Sequence, residues 1–213
     1  MTRDTTAQKP PRPNLDLTGF PKRIVKFRTR WHRAHHRERG PWFFSSSGGG
    51  RFDLKNPCGT CYLASTPEAA AREIVGPDFS ASGRVPEGLV RDRIVSQLEL
   101  PFTVEAARIT SDHTLGYGVV GSELAVAASY DLSCQWAEAF NAAGFNGIWY
   151  TPRFSGANAR ALALFSDSGE AIDYDVDTAP KTLKSVVDEM IDLHVMQIPR
   201  SLEEFDVLDT PQA

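Results

Sequence analysis

The pattern of apolar and polar positions predicts a chain in which strands outnumber helices. Six short apolar or alternating runs are typical of strands and lie at 23–28, 61–64, 93–100, 102–109, 147–150 and 161–165. Three amphipathic segments predict helices, at 67–75, 132–144 and 182–195. The first begins with Thr66-Pro67-Glu68, a typical helix start, and Gly76-Pro77 is expected to end it. We therefore predict an α+β fold with mixed sheets and flanking helices.

Domain organisation follows from where this pattern begins and ends. Residues 1–21 carry four prolines among polar residues, so we expect a flexible N-terminal arm. One domain is expected over 22–195, with a surface loop at 78–92, and an acidic tail is expected over 196–213. With 213 residues, 41% hydrophobic and 23% charged, the chain can bury a core of its own and is neither collagen-like nor wholly disordered.

The cellular compartment is predicted from what the sequence does not contain. No apolar run approaches the roughly 18 residues needed to cross a bilayer, and no secretory signal is recognisable near residue 1. Three cysteines, an odd number, do not form a disulfide framework. We expect a cytoplasmic protein that does not engage a membrane.

Basic residues are concentrated at the start of the predicted domain. Residues 22–39 hold eight lysines or arginines against one acid, whereas the whole chain has a net charge of −4. This contrast indicates an anionic partner, either a nucleic acid or a small phosphate-bearing ligand. Nearby Trp31 and Trp42 could stack on bases, but alternating basic and apolar residues also make an ordinary edge strand. Outside Arg33 we favour the edge strand and consider nucleic acid the weaker candidate.

A six-residue run of serine and glycine, 45–50, is interpreted as a loop at a binding site, because glycines let backbone approach a ligand closely. Arginines bind phosphate through paired N–H donors, and a tyrosine ring can stack on a flat heterocycle. A carboxylate can stabilise the positive charge that develops at C1 of a sugar when an N-glycosidic bond breaks. Residues with these chemistries form a candidate nucleotide site, and they are Arg33, Arg51, Tyr62, Glu73 and Arg153. The alternative is that they are surface arginines, a core tyrosine and a solvated glutamate.

Several short motifs, taken in order, resemble the RES domain family, which is named for its Arg, Glu and Ser residues. They are Arg33-Ala34-His35, Gly50-Arg51-Phe52-Asp53, Cys61-Tyr62-Leu63-Ala64, Ala70-Ala71-Arg72-Glu73, Trp136-Ala137-Glu138-Ala139-Phe140, Gly144-Phe145-Asn146-Gly147-Ile148-Trp149-Tyr150, Arg153 and Ala161-Leu162-Ala163-Leu164-Phe165. The spacing is also similar, with eleven residues from Arg51 to Tyr62 and eleven from Tyr62 to Glu73. The resemblance covers residues 24–166.

This resemblance implies an ADP-ribosyltransferase-like fold acting on NAD. RES proteins include toxins of bacterial toxin–antitoxin pairs that deplete NAD by phosphorolysis or hydrolysis of the nicotinamide–ribose bond. Carried over by position, Arg33 and Arg51 would hold the NAD phosphates, Tyr62 would pack on nicotinamide or its ribose, and Glu73 would act at the reacting ribose. Arg51, Tyr62 and Glu73 are thus the expected catalytic residues.

The resemblance also implies the ligands and partners. NAD would be the substrate and inorganic phosphate a possible co-substrate, and no metal or cofactor is required. An antitoxin that occludes the site is a possible partner, and so is a second copy of the chain.

The chain departs from the family where the serine is expected. The family's Tyr-x-Ser-Arg-like stretch reads Tyr150-Thr151-Pro152-Arg153, and a proline cannot donate a hydrogen bond. Thr151 or Ser155 could supply the hydroxyl, and Arg153 is a candidate ligand for phosphate. The alternative is a catalytically impaired RES-like protein with a regulatory or nucleic-acid-binding role.

A zinc site is a weaker possibility. Cys58 and Cys61 could hold one side of the ion, and His32, His35 or His36 could complete the tetrahedron. Because one pair of cysteines is weak support, we expect two reduced cysteines instead.

Overall fold

The computed structural model describes residues 7–79, 84–126 and 130–196. Its strands are β1 (Lys22–Val25), β2 (Arg30–His36), β3 (Phe43–Phe44), β4 (Cys58–Ala64), β5 (Arg84–Pro86), β6 (Arg93–Glu99), β7 (Val104–Arg108), β8 (Gly147–Tyr150), β9 (Ala161–Asp167), β10 (Gly169–Glu170), β11 (Lys181–Thr182) and β12 (His194–Met196). Its helices are α1 (Pro67–Phe79), α2 (Glu87–Arg91), α3 (Gly121–Val126), α4 (Asp131–Ala142) and α5 (Leu183–Asp188), with a 3₁₀ helix at Asp112–Tyr117.

Eight strands form one mixed sheet in the order β1-β7-β8-β9-β4-β2-β6-β11. The β7–β8 pair is parallel, and its neighbours in the sheet pair antiparallel. At the centre, β4 pairs with β9 from Cys58↔Asp167 to Ala64↔Ala161. Two small sheets, β3–β10 and β5–β12, are added to it. A large mixed sheet with flanking helices confirms the predicted architecture.

Helices cover one face of the sheet in two groups. Over β7, β8 and β9, helix α4 buries Trp136 and Phe140. Over β2, β4 and β6, helices α1 and α5 bury a second cluster that includes Val75 and Val186. Because side chains alternate along β4, Tyr62 and Ala64 point to this helical face, whereas Cys61 and Leu63 join a third cluster on the opposite face. The gap between the two helical groups holds the candidate site.

The segment before β1 packs against the domain. Leu17 and Phe20 are 5% and 3% exposed and belong to the core cluster around α4. The side-chain amide of the buried Gln8 donates to the Gly118 carbonyl and accepts from the Val120 N–H. The Trp136 indole N–H donates to the Lys9 carbonyl at 2.8 Å. The expected flexible arm is therefore wrong for residues 8–20, because two buried apolar side chains anchor the polar, proline-rich stretch. Residues 1–6 lie outside the described residues.

Three other expectations differ from the structure. Helix α1 continues past Gly76-Pro77 to Phe79, since Gly76 serves close packing rather than helix termination. The stretch 182–195 forms only the short α5, and β12 then pairs in parallel with β5. That pairing also explains why part of 78–92, expected to be a loop, is the strand β5 followed by α2.

Met196 ends β12, and the rest of the predicted acidic tail, 197–213, lies outside the described residues. In the part of the chain that the structure describes, no helix has the length and apolar character to cross a membrane.

Candidate functional site

A pocket of about 280 Å³ lies between the two helical groups. Four predicted site residues border it: Arg33, Arg51, Tyr62 and Glu73. Two glycines of the serine-glycine loop, Gly49 and Gly50, also line it. The other lining residues are the aromatic or imidazole side chains of His32, Tyr130, Tyr150 and Phe154 and the apolar side chains of Ala34, Leu63, Ala64, Ala70, Ile74 and Ala161. The serine-glycine loop thus reaches the site, as its composition predicted.

Glu73 projects into this pocket from the second turn of α1. Its Oε1 accepts a hydrogen bond from the Phe154 backbone N–H at 2.9 Å. Burial raises the pKa of this carboxyl above its ordinary value, while the Phe154 N–H, the Arg51 charge and Arg153 partly oppose the shift. Gly76, one turn further along α1, lets Phe154 approach, since a Cβ there would overlap the Phe154 ring. The acid is therefore partly desolvated and held in one orientation.

Arg51 supplies a positive charge that opposes the rise in the pKa of this acid. It follows Gly50 in the serine-glycine loop and is 9% exposed. Its guanidinium carbon lies 5.0 Å from the centroid of the Tyr130 ring, a cation–π arrangement at the start of α4. Its charge partly opposes the rise in pKa that burial causes at Glu73 and at Tyr150, and all three residues line the same pocket. A buried cation and a half-buried acid thus line the same pocket, and the cation can bind an anionic ligand there.

Tyr62 presents its ring, not its hydroxyl, to the pocket. The hydroxyl donates to Asp53 Oδ1 at 2.8 Å and accepts from the Phe52 N–H at 2.8 Å. Asp53, 2% exposed, also accepts from Ser45 Oγ at 2.9 Å and from the Gly50 N–H at 3.0 Å through Oδ2. Burial, followed by the Asp53 charge, raises the pKa of Tyr62 well above its ordinary value. The ring can pack on a flat ligand while Asp53 ties its hydroxyl to the loop.

Arg33 borders the pocket, but its guanidinium is bonded elsewhere. Nη1 donates to the carbonyls of Pro41 and Phe43 at 2.6 and 2.9 Å and to Cys61 Sγ at 2.8 Å. Strand alternation explains the direction, because His32 and Ala34 face the pocket side of β2 and Arg33 faces the other side. Arg33 therefore joins β2 to β4 and to segment 41–43. Its Nη1 is thus bonded within the protein, and its role as a ligand of the NAD phosphates stays a prediction.

The loop after β8 places the remaining predicted residues outside the pocket. Thr151 borders a different cavity, of about 490 Å³, near α3, because alternation after the inward-facing Tyr150 turns it away. Ser155 Oγ is buried without a hydrogen-bond partner among the described residues. Arg153 is exposed and lies over the Phe154 ring at 5.2 Å, although its charge still lowers the pKa of Glu73. Neither hydroxyl expected to replace the family serine lines the site.

Three aromatic or imidazole side chains at the pocket were missed by sequence reasoning. Tyr150 is 5% exposed, and its ring packs edge-on against Phe52 with centroids 5.1 Å apart. Tyr130 covers the guanidinium of Arg51. His32 has a buried Nδ1 without a partner among the described residues, and burial lowers its pKa. Tyr150 ends a predicted strand and is the last residue of one of the RES-like motifs, and this position could have indicated that it belongs to the site.

The two cysteines of the possible zinc site lie on opposite faces of β4. Cys61 is fully buried beside Arg33, and burial raises its pKa. Cys58 packs on the other side, with Asn141 Nδ2 3.9 Å from its sulfur. His35 is bonded through Nε2 to Ser96 Oγ at 2.9 Å. Within the described ranges, no three His, Cys, Asp or Glu side chains are grouped so that they could hold a metal ion.

Comparison of the sequence with protein-family models identifies the family of the chain. The RES domain model matches residues 23–184, which is most of the chain. The chain belongs to the RES family. The match begins at β1, includes Arg51, Tyr62 and Glu73, and extends past the resemblance seen in the motifs into α5. The departure at Pro152 therefore falls within the RES domain itself.

A solved structure shows a similar fold. It is the crystal structure of the M. tuberculosis MbcT–MbcA toxin–antitoxin complex, with a TM-score of 0.57 and 12% sequence identity. The alignment covers 78% of this chain and 90% of that one. No curated protein sequence is significantly similar to this chain.

Proposed function

We propose that this RES protein consumes NAD by cleaving the bond between nicotinamide and ribose. The observation that carries the proposal is the shared pocket of Arg51 and Glu73, a buried cation and a half-buried acid on separate elements. At about 280 Å³, the pocket is near the lower end of small-ligand sites. We place the nicotinamide ribose inside it, with the diphosphate toward Arg51 and the remainder of the dinucleotide outside.

The chemistry follows from the charges that develop as the bond breaks. Nicotinamide leaves as a neutral molecule with the bonding electron pair, so positive charge builds on the ribose. The Glu73 carboxylate, fixed by the Phe154 N–H, stabilises that charge without having to reorganise. The Tyr62 ring provides a flat surface for the base or its ribose. A phosphate or water oxygen then forms the new bond at C1, and water loses a proton in doing so.

A toxin role is part of the same proposal. Membership of the RES family and a fold similar to that of a chain in a toxin–antitoxin complex support this role. In it, an antitoxin would inhibit the consumption of NAD. Expression in bacteria should then lower cellular NAD and stop growth, whereas a Glu73→Gln variant at equal abundance should do neither. Growth arrest by both proteins would show that the toxicity does not depend on this pocket.

A second candidate is a RES protein that has lost catalysis. It is favoured by Pro152 in place of the family serine and by the positions of Thr151 and Ser155 outside the pocket. Such a protein would bind a nucleotide or nucleic acid without changing it. Of its basic residues, Lys22 and Arg30 are paired with Glu105 and Glu99, which reduces the charge available to nucleic acid.

One experiment separates these candidates. The purified protein is incubated with NAD, with and without inorganic phosphate, and the products are identified by mass. We expect nicotinamide in both reactions, with ADP-ribose 1-phosphate where phosphate is the acceptor and ADP-ribose where water is. Glu73→Gln is the matched control. Intact NAD in every reaction would favour the catalytically inactive candidate.

A further inference from the structure

We propose that the Tyr150 hydroxyl donates a hydrogen bond to a hydroxyl of the nicotinamide ribose. This inference rests on the proposed function and names the part of the substrate that the inner wall of the pocket recognises. The residue lies two positions before Pro152, at the end of β8.

The Tyr150 side chain is held firmly by its surroundings. Only 5% of the residue is exposed, and it forms part of the pocket wall. Its ring packs against Phe52 at an interplanar angle of 69°, which restricts the movement of the ring. Its hydroxyl makes no hydrogen bond to any described residue. Since a buried phenol normally finds a hydrogen-bond partner, this hydroxyl is available to a ligand that enters the pocket.

The other candidate hydroxyls are already used or turned away. Tyr62 donates to Asp53 and accepts from the Phe52 N–H, so a ligand bond to its hydroxyl would break a buried hydrogen bond. Thr151 borders a different cavity, and Ser155 does not line the pocket. Tyr150 therefore carries the pocket hydroxyl that is best placed to bind a ligand.

The neighbouring charges indicate which substrate group Tyr150 meets. Burial raises the pKa of Tyr150, and the Glu73 carboxylate raises it further, so the phenol stays protonated and acts as a donor. A sugar hydroxyl is both donor and acceptor. It can donate to the Glu73 carboxylate while it accepts from Tyr150, whereas the diphosphate is assigned to Arg51. An acceptor, Glu73, and a donor, Tyr150, line the same pocket, and this pair suits a ribose hydroxyl.

The test compares Tyr150→Phe with Tyr174→Phe. The first removes the pocket hydroxyl and keeps the ring, and the second removes a phenol that packs on Trp42 outside the pocket. Steady-state kinetics are measured with NAD and with two analogues that lack either the 2-hydroxyl or the 3-hydroxyl of the nicotinamide ribose. Thermal unfolding of each variant checks that the fold is intact.

We expect Tyr150→Phe to lower kcat/KM for NAD by about tenfold or more, with wild-type kinetics in Tyr174→Phe. With the analogue that lacks the hydroxyl bound by Tyr150, wild type and Tyr150→Phe should have equal kcat/KM, because the partner is already missing. Equal activity of wild type and Tyr150→Phe on NAD would overturn the inference. The inference would also be overturned if Tyr150→Phe lowered kcat/KM for both analogues as much as it lowers kcat/KM for NAD.

The two proposals fail differently. Wild-type protein that leaves NAD intact would reject the proposed function, and the Tyr150 hydrogen bond with it. Wild-type protein that cleaves NAD, combined with unchanged cleavage by Tyr150→Phe, would reject only the hydrogen bond.

Discussion

Replacing Glu73 by Gln should separate the catalytic role of this residue from its role in folding. Glutamine keeps the size of the side chain and an oxygen that can accept from the Phe154 N–H, so the loop should stay in place. The substitution removes only the negative charge. Two unit charges about 4 Å apart interact by about 4 kcal/mol at an effective dielectric constant near 20. Because the ribose carries only part of a unit charge, we expect a loss of about 3 kcal/mol, or roughly a hundredfold in kcat.

The same substitution should stabilise the folded protein at neutral pH. The folded pKa of Glu73 lies above its ordinary value of 4.5, mainly because of burial. Between 4.5 and the folded pKa, the folded state binds more protons than the unfolded state, so this residue makes stability fall as pH rises. Above the folded pKa the penalty is fully present. Removing the charge should therefore raise Tm at pH 7, and the gain should shrink as the pH falls toward 4.5.

Product formation at saturating NAD and thermal unfolding at pH 7 and pH 5 are the two assays. Lower activity together with higher Tm is the expected combination. A variant that loses both activity and stability would show that the carboxylate is a structural group. A variant with wild-type turnover would show that the charge does not act on the reaction, and the proposed mechanism would be wrong.

Three further substitutions test the surroundings of the pocket. Gly76→Ala should gain about 1 kcal/mol from helix propensity alone, but overlap with the Phe154 ring predicts lower Tm and weaker NAD turnover; a more stable variant would contradict this packing. Asp53→Asn should lower stability by roughly 2–4 kcal/mol in urea unfolding, since Asp53 accepts from Tyr62 and from loop donors; an unchanged midpoint would show that these bonds are dispensable. Phe20→Ala should cost about 3–5 kcal/mol because the ring is buried, whereas a flexible arm would tolerate it.

The core of the site could be predicted because it is built by short-range structure. Tyr62 lies on β4 and Glu73 on α1, the next element in the chain, so both positions are fixed by one strand-to-helix connection. Arg51 follows a glycine-rich loop whose composition already indicated close approach of the backbone. Where the geometry depends on one or two neighbouring elements, the pattern of residue types was sufficient.

The placements that the sequence did not predict come from features that only the assembled sheet determines. Arg33 carries the expected residue type, but strand alternation and the carbonyls of segment 41–43 turn its guanidinium to the opposite face. Thr151 is one position from Tyr150, and a shift of one residue along a strand changes the face. The burial of Leu17 depends on α4, more than a hundred residues later in the chain. No local pattern contains that information.

The loop in which proline replaces the family serine contributes to the pocket mainly through its backbone and its charge. The Phe154 N–H bonds to Glu73, and the Arg153 charge lowers the pKa of the same carboxyl. Neither contribution requires a particular side chain at position 152, where Pro152 is buried. Its fixed φ angle also stiffens the segment that presents the Phe154 N–H. A proline at this position therefore leaves the orientation of the acid unchanged, and the proposed bond from the Tyr150 hydroxyl to the ribose does not depend on a hydroxyl at position 152.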